Sequence, residues 1–557
     1  MGKKALAIGI ENYKEIVDKK YYYIDKSYMI KDLIEEQGKV NLFTRPRRFG
    51  KTLALSMIRT FFEKEYDITG EFIDNTHYFC EMNIEKETKL CEEYQEKFPV
   101  ISLSLKGAKQ PTFDLAYQLI AEQIASEFKR HRYVLNADIL LEDEKERYQA
   151  LMAQKGTQAE MTTALKFLSD CLKAYHKQKA IVLIDEYDVP LENAYFRRFY
   201  KEMIDFIRAL FESVLKSNDS LEFAVITGCL RVSKESIFTG LNNLEIISIL
   251  NENYARYFGF TQSEVENMLD YYEIPEKKEE LKQWYDGYLF GTTEVYNPWS
   301  VVNYVKTAIT NQIAFPRPYW SNTSSNSIVK ELIETADSGV RKEIEELIQG
   351  KELRKPVHED INESQDNLWN FLFFTGYLKM TGQFLEGNTI YLKLAIPNEE
   401  VRYIYQNTIK EWFQKSIEAK DLRNLYKAFC DGDHEKIEEY MKQNLRETIS
   451  YYDKKEDFYH GFLLGLLSSM QDYEILSNRE SGNGRPDIML KPYDEKKPAI
   501  IIELKYADKF TQMEEKCKEA LKQIDEKEYA DGLLNEGYEK ILKYGICFCQ
   551  KSCRCEV

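Results

Sequence analysis

Three groups of residues have the types and spacing of reactive sites. Gly50, Lys51 and Thr52, in "FTRPRRFGKTLALSMI", put a glycine, an ammonium and a hydroxyl at the start of an apolar helical pattern. At such a place backbone N–H groups and a helix N-terminus can surround a phosphate. The Lys reaches its terminal oxygens, and the hydroxyl can hold Mg²⁺. Asp185 and Glu186, in "IVLIDEYD", follow the wholly apolar run Ala180 to Ile184. That run reads as a central strand covered on both faces. Ligand sites in open α/β sheets lie at such strand ends. Asp185 there would bind Mg²⁺ through water, and Glu186 would orient an attacking water.

The third group is Asp487, Glu503 and Lys505, in "RPDIMLKPYDEKKPAIIIELKY". Glu503 and Lys505 lie two apart on one strand and so share a face. A hairpin symmetric about Glu495 would set Asp487 directly opposite Glu503. Opposed like charges are destabilising. A divalent cation between them removes the repulsion, and two carboxylates plus waters suit Mg²⁺. Lys505 would position or deprotonate a water, or steady charge on the phosphorane, as metal-assisted phosphodiester hydrolysis requires.

The first group departs from the usual phosphate loop, G-x-x-x-x-G-K-[ST], whose first Gly falls on Arg45 here. Pro46 has no N–H to donate, and Arg45 tolerates positive φ less well than Gly. A differently shaped loop around the same anion is expected, with Arg48, Gly50, Lys51 and Thr52 as the phosphate set. Thr227 and Arg231, in "ITGCLRVS", end the next strand. They read equally well as a contact and a sensor for the terminal phosphate, or as a capping Thr and a solvated Arg.

Strands are expected at 38–45, 98–107, 179–188, 221–228 and 244–250, and helices at 51–62, 113–130, 159–177 and 197–217. Such alternation means an α/β, mostly parallel sheet. Beyond about 250 short helices dominate. Glu331 to Lys355 reads as a charged helical hinge, and 367–400 as a helix followed by strands, like a small winged-helix unit. Helices resume to about 470, then strands and helices return. The final "CFCQKSCRC" spaces Cys547, Cys549, Cys553 and Cys555 as C-x-C-x3-C-x-C. No His lies near them and the spacing is not that of a usual zinc ribbon. They read as two strand residues and a loose tail.

The 557 residues exceed one core, so several domains are expected. A net charge of -17 excludes a general polyanion binder. The opening residues lack the pattern of a signal peptide, and no apolar run is long enough for a membrane helix. A cytoplasmic protein without membrane contact, its thiols reduced, is expected.

"YYYIDKSYMI", "FTRPRRFGKT", "VLIDEYDVPL", "VITGCLRVSKESIFTGLNNL", "WYDGYLFG", "VYNPWSVVNY" and "FTGYLK" occur in this order. The series resembles the motifs of bacterial AAA-ATPase-like proteins with a C-terminal PD-(D/E)XK nuclease-superfamily domain. In that family R-P-R-R-F-G-K-[ST] is the ordinary form of the loop. The resemblance implies ATP as the nucleotide and a P-loop NTPase fold. It also draws in Tyr23 and Asp25 near the nucleotide, with a packed Tyr edge as the other reading. On the nuclease side it implies Glu456 and His460 from an upstream helix and Gln523 from a downstream one. Solvated or structural roles remain open for Glu456 and Gln523.

The chain is thus expected to be α/β throughout: a P-loop, AAA-like parallel sheet over 1–250, a helical and winged-helix-like middle over 251–400, and a restriction-endonuclease-like α/β domain over 401–557. The expected function is an ATPase coupled to a Mg²⁺-dependent nuclease-like domain acting on nucleic acid, with DNA favoured over RNA and the choice between them left open. The rival is a nucleotide-switched scaffold with a silent nuclease fold. Self-association into a homo-oligomer stays open.

Overall fold

A computed structural model describes residues 2–557 except 68, 231–236, 239–240, 312, 323–337, 357–366, 388, 419–421, 449–455, 468–469, 471, 478–484, 495 and 551. The chain forms two compact units, Met1–Val329 with Gly350–Ile404, and Lys330–Gln349 with Tyr405–Val557. Among the described residues no helix is long and apolar enough to cross a membrane.

The first unit is built on a five-stranded parallel sheet. Its strands are β1 (Val40–Thr44), β2 (Val100–Ser104), β3 (Ala180–Asp185), β4 (Leu221–Gly228) and β5 (Leu244–Ile247), in the order β2-β3-β4-β1-β5. Every residue of β1 and β3 is buried, as the apolar run Ala180–Ile184 of β3 requires when helices cover both faces; in β1 the buried Asn41 is satisfied by the carbonyls of Gly38 and Ala224. The helices Lys51–Phe62, Phe113–Arg130, Ala164–His176 and Tyr200–Leu215 supply that cover, with Ile120, Phe128, Leu168 and Ile207 meeting Leu42, Ile184 and Ile226 in one core. Two expected helices are interrupted. The pattern at 159–177 breaks at Thr163, and the one starting at 197 begins instead at Tyr200, because Arg198 turns left-handed (φ 66) and ends a separate helix, Val189–Arg197. In register, Phe43 lies beside Thr227 and Ile184 beside Ile226. The C-terminal ends of β1, β4 and β3 are therefore level.

Beyond the sheet, the helices Gln262–Tyr272, Lys278–Tyr285 and Pro298–Thr310 flank a short hairpin, β6 (Tyr288–Phe290) and β7 (Thr293–Val295). A three-stranded antiparallel sheet follows: β8 (Leu353–Pro356), β9 (Lys379–Glu386) and β10 (Thr389–Ala395), in the order β8-β10-β9, with the helix Asn367–Phe374 between β8 and β9. The expected helical stretch 331–355 is corrected here. Its described helix is Ser338–Ile348, and 353–356 pair as a strand, with Leu353 buried opposite Leu394. Residues 331–337 lie outside the described ones.

The second unit packs the helices Arg423–Asp431, His434–Thr448 and Glu456–Leu467 on a mixed sheet. Its strands are β11 (Tyr473–Ser477), β12 (Ile488–Pro492), β13 (Ala499–Tyr506), β14 (Ile541–Cys549) and β15 (Ser552–Glu556), in sequential order. Only β13 and β14 are parallel, joined through the helix Met513–Glu526. The tail expected to be loose is the strand β15, with Cys553 and Cys555 buried. Cys555 lies opposite Ile546 and Cys553 opposite Phe548, in the main core; Cys547 and Cys549, alternating with these, pack with Ala507, Met513 and Cys517. Strand alternation thus sends the two pairs of thiols to opposite faces, where they cannot share one ion.

Glu400 is fully buried near the start of the helix Glu399–Glu418. It accepts hydrogen bonds from Ser300 Oγ (2.8 Å) and the Trp320 backbone N–H (2.8 Å), tying the Pro298–Thr310 helix to the segment after it. Burial raises its pKa from 4.5 to about 8, against the opposing effect of those donors. The folded protein then keeps a proton that the unfolded chain releases between these values. Stability from the neutral carboxyl is full below about 4.5 and lost as pH rises to about 8. Glu400→Gln retains an acceptor and carries no charge. Its thermal stability relative to wild type should increase across that pH range and level off above it. A difference independent of pH would mean that the carboxyl is ionised throughout.

Candidate functional site

Between β1 and the Lys51–Phe62 helix the chain makes a loop whose left-handed residues are Arg48 (φ 70) and Gly50 (φ 85). Position 45 needs no glycine. Arg45 is instead a buried strut: its guanidinium donates to the carbonyls of Thr44 (3.0 Å) and Ile247 (2.8 Å) and lies against the rings of Phe258 and Phe290. Burial lowers its pKa to about 9. Phe49 is buried against Tyr288 and Phe290. Pro46 meets Gly376, whose φ of 90 suits glycine and where a Cβ would lie 2.9 Å from the Pro46 ring. Lys51 donates to the carbonyls of Arg45 and Pro46 (both 2.9 Å) and approaches Cys229 Sγ (3.4 Å).

At the level strand ends, Thr52 Oγ1 donates to Asp185 Oδ2 (2.7 Å), and Thr227 Oγ1 donates to Asp185 Oδ1 (2.5 Å). Asp185 is buried, so both hydroxyls replace lost water. Glu186, next along, has φ 52, unusual for a non-glycine residue. Burial, and then the Asp185 charge, raise its pKa. A hydroxyl and a carboxylate already in contact form a hard oxygen donor set, which fits Mg²⁺ held by Thr52 and Asp185.

A cavity of about 330 Å³ opens beside this loop. Arg48, Gly50, Lys51, Thr52 and Glu186 line it, as does Trp299, with the Arg48 guanidinium 4.3 Å from its ring centroid. Tyr23 also lines it, half-buried, its hydroxyl on Met57 Sδ (3.4 Å). Asp185, Thr227 and Asp25 are not on its wall. Asp25 accepts from the backbone N–H groups of Ser27 (2.8 Å) and Asn83 (2.6 Å), a structural tie. Arg231 lies outside the described residues.

In the second unit the β12–β13 register pairs Ile488 with Ile502, and its continuation sets Asp487 opposite Glu503. Asp487 Oδ2 accepts from Leu504 N (2.8 Å). Glu503 is buried; its Oε1 receives Gln523 Nε2 and, at 3.3 Å, Lys505 Nζ, while its Oε2 is buried with no hydrogen-bond partner. Burial, then Asp487, push the Glu503 pKa up to about 7, with Lys505 opposing. An orphaned carboxylate oxygen beside a second carboxylate fits a divalent cation held by Asp487 and Glu503. His460 Nε2 contacts the Asp487 carbonyl (3.0 Å) and Ser477 Oγ (3.1 Å), so the ring braces the strand end. Glu456 opens its helix, and its side chain lies outside the described residues. Gln523 is joined directly to Glu503.

Asp188 escaped the sequence reading. It is buried and its Oδ2 accepts from the backbone N–H groups of Cys229 (2.7 Å) and Leu230 (2.8 Å), fixing the turn that follows Thr227. Gly228 leaves the room this needs: a Cβ there would lie 2.5 Å from the Tyr187 ring and 2.8 Å from Asp188 Oδ1. The signal was present in the third acid of "DEYD", one turn beyond the strand. Asp188→Ala orphans two buried N–H groups and should cost about 2–4 kcal/mol in chemical denaturation. Asp188→Asn keeps an acceptor and should cost less than half as much. Equal losses would refute this bracing role.

Residues 7–238 match a family model described as "Predicted AAA-ATPase", and residues 454–557 match that of the "PD-(D/E)XK nuclease superfamily". An "Uncharacterized protein in vnfD 5'region" from Azotobacter chroococcum mcd 1 is 27% identical over 336 residues, which is 60% of this chain and 57% of that protein. The chain therefore spans little more than half the length of this relative. Two domains are identified in one chain by these matches: an AAA-ATPase-like domain in its first part and a PD-(D/E)XK nuclease-superfamily domain at its C-terminal end.

Proposed function

We propose that the N-terminal site binds and hydrolyses ATP, and that the C-terminal site cleaves phosphodiester bonds in nucleic acid, DNA in preference to RNA. The observation that carries the first half is the meeting of Thr52, Asp185 and Thr227 beneath the Gly50–Lys51 loop. For the second half it is the orphaned Glu503 oxygen beside Asp487. Within this reading, residues 1–250 hold the nucleotide, 251–400 form its lid, and 401–557 form the nuclease-like domain. Trp299, on the cavity wall, supports the lid assignment.

Lys51 leaves the loop carbonyls to pair with terminal phosphate oxygens, and Arg48 adds charge from the cavity wall. Mg²⁺, when bound at either site, neutralises phosphate charge and polarises the phosphorus–oxygen bonds. Glu186 orients a water and takes its proton as the water attacks the terminal phosphorus; the bond to the bridging oxygen breaks, giving ADP and phosphate. Thr227 and Arg231 are assigned to the terminal phosphate. At the C-terminal site Lys505 orients the attacking water. Gln523 and His460 hold Glu503 and the Asp487 strand end in place, and Glu456 is assigned as an accessory acid. Tyr23 and Asp25 order the N-terminal segment that borders the cavity.

Lys51→Ala should weaken ATP binding by about 10–100-fold, the value of a charge-assisted contact. Glu186→Gln should bind ATP normally and hydrolyse it about 100-fold more slowly or worse. A Glu186→Gln protein with wild-type turnover would remove Glu186 from the mechanism. Incubation with Mg²⁺ and mixed single- and double-stranded DNA and RNA, beside Glu503→Ala, tests the second half. Cleavage should be lost in that variant, and metal binding without any cleavage would overturn the assignment. Coupling of the two sites belongs to the proposal: identical cleavage by wild type and Lys51→Ala, with and without ATP, would dissolve it.

A further inference from the structure

The sheet β8-β10-β9 has a face that neither site uses. Directly paired residues share a face. Leu353 with Leu394, and Lys355 with Leu392, lie on the core side, where the Lys355 ammonium sits 4.9 Å from the Trp369 ring centroid. The alternate residues form two rungs on the other face. One runs Arg354–Lys393–Gly382 and the other Pro356–Tyr391–Phe384. The Phe384 and Tyr391 rings stack at 5.7 Å with 16° between their planes, and the exposed Arg354 lies 5.6 Å from the Phe384 centroid. Lys379 extends the face opposite Ala395, but its ammonium lies beside Gly287, leaving Arg354 and Lys393 as the cations it offers. At the hairpin end Leu385 and Ile390 are 69% and 53% exposed, so the end stands clear of the core.

The charge of this sheet runs against the balance of the whole chain. Its strands hold Arg354, Lys355, Lys379 and Lys393 against Glu386 as their one acid, in a protein of net charge -17. Cations interleaved with stacked aromatic rings suit a strand whose phosphates can be paired and whose bases are free to stack. A duplex keeps its bases stacked internally and gains nothing from the rings. We propose that this face binds single-stranded nucleic acid, with Arg354 and Lys393 on phosphates and a base against the Phe384–Tyr391 pair. The inference rests on the nuclease reading for the class of partner, and its test does not depend on cleavage.

The full chain carrying Glu503→Ala, in EDTA, is titrated against a labelled oligodeoxythymidine of about 20 nucleotides and against a duplex of the same length. The single strand should bind more tightly. Adding Arg354→Glu with Lys393→Glu should weaken it at least about tenfold and flatten the salt dependence by about 1.4 in log–log slope, ~0.7 for each lost phosphate contact. Adding Phe384→Ala with Tyr391→Ala should weaken binding and leave that slope unchanged. Thermal unfolding and ATP binding report on folding, and the charge variants, being at the surface, keep the test valid if the aromatic pair fails to fold. No binding by the parent, equal affinity for the duplex, or undiminished binding by the charge variants would each overturn the proposal. Binding through this face without cleavage by the wild-type chain in Mg²⁺ would support it while overturning the nuclease assignment alone.

Discussion

A carboxylate buried at the end of a central strand must find donors inside the protein, and the first unit is arranged around that requirement at Asp185. Its donors come from two other places in the chain, Thr52 in the first turn after β1 and Thr227 near the end of β4. They converge because β4 lies between β1 and β3 and all three strands end level. Side chains alternate along a strand, so a slip of one residue in β4 would turn Thr227 to the opposite face and leave an oxygen of Asp185 unpaired. Register and site chemistry are thus a single constraint.

The phosphate loop depends on the same framework by another route. An ordinary loop uses glycine at its first position; this one uses a buried arginine and a proline, the arginine held by carbonyls of β1 and β5 and by aromatic rings of the region after the sheet. Gly376, between the helix Asn367–Phe374 and β9, leaves Pro46 its space. The loop and the middle region are therefore packed as one body within the first unit. A change in the loop on ligand binding would be felt at Phe258, Phe290 and Trp299 through contact.

The second unit solves its charge problem differently. Asp185 has a hydroxyl on each oxygen, whereas Glu503 has both donors on one oxygen and none on the other. A satisfied carboxylate is stable as it stands, and an orphaned one is costly in the absence of a further partner. That difference separates a group poised behind a phosphate site from one suited to direct coordination of a cation.

Much of this was legible in residue order. Apolar-rich segments located β1 to β4, with the run Ala180–Ile184 the clearest, and the glycine–lysine–threonine triplet located the helix that follows β1. The symmetric spacing about Glu495 places Asp487 opposite Glu503, as the continued β12–β13 register does. Short-range patterns misled where a local and a distant force compete. Arg198 breaks a helical pattern, 353–356 became a strand through pairing with β10, and the cysteine tail became β15 through pairing with β14. The hydrogen-bond partners of Arg45, Asp188 and Gln523 could not be read for a related reason: each is supplied by another element of the fold. By itself the sequence determined which segments are strands and helices and which residue types stand at their ends, since periodicity and turn chemistry act over a few residues. Only the tertiary structure decided which of those ends meet, because strand order and the satisfaction of buried charges are properties of contacts between distant parts of the chain.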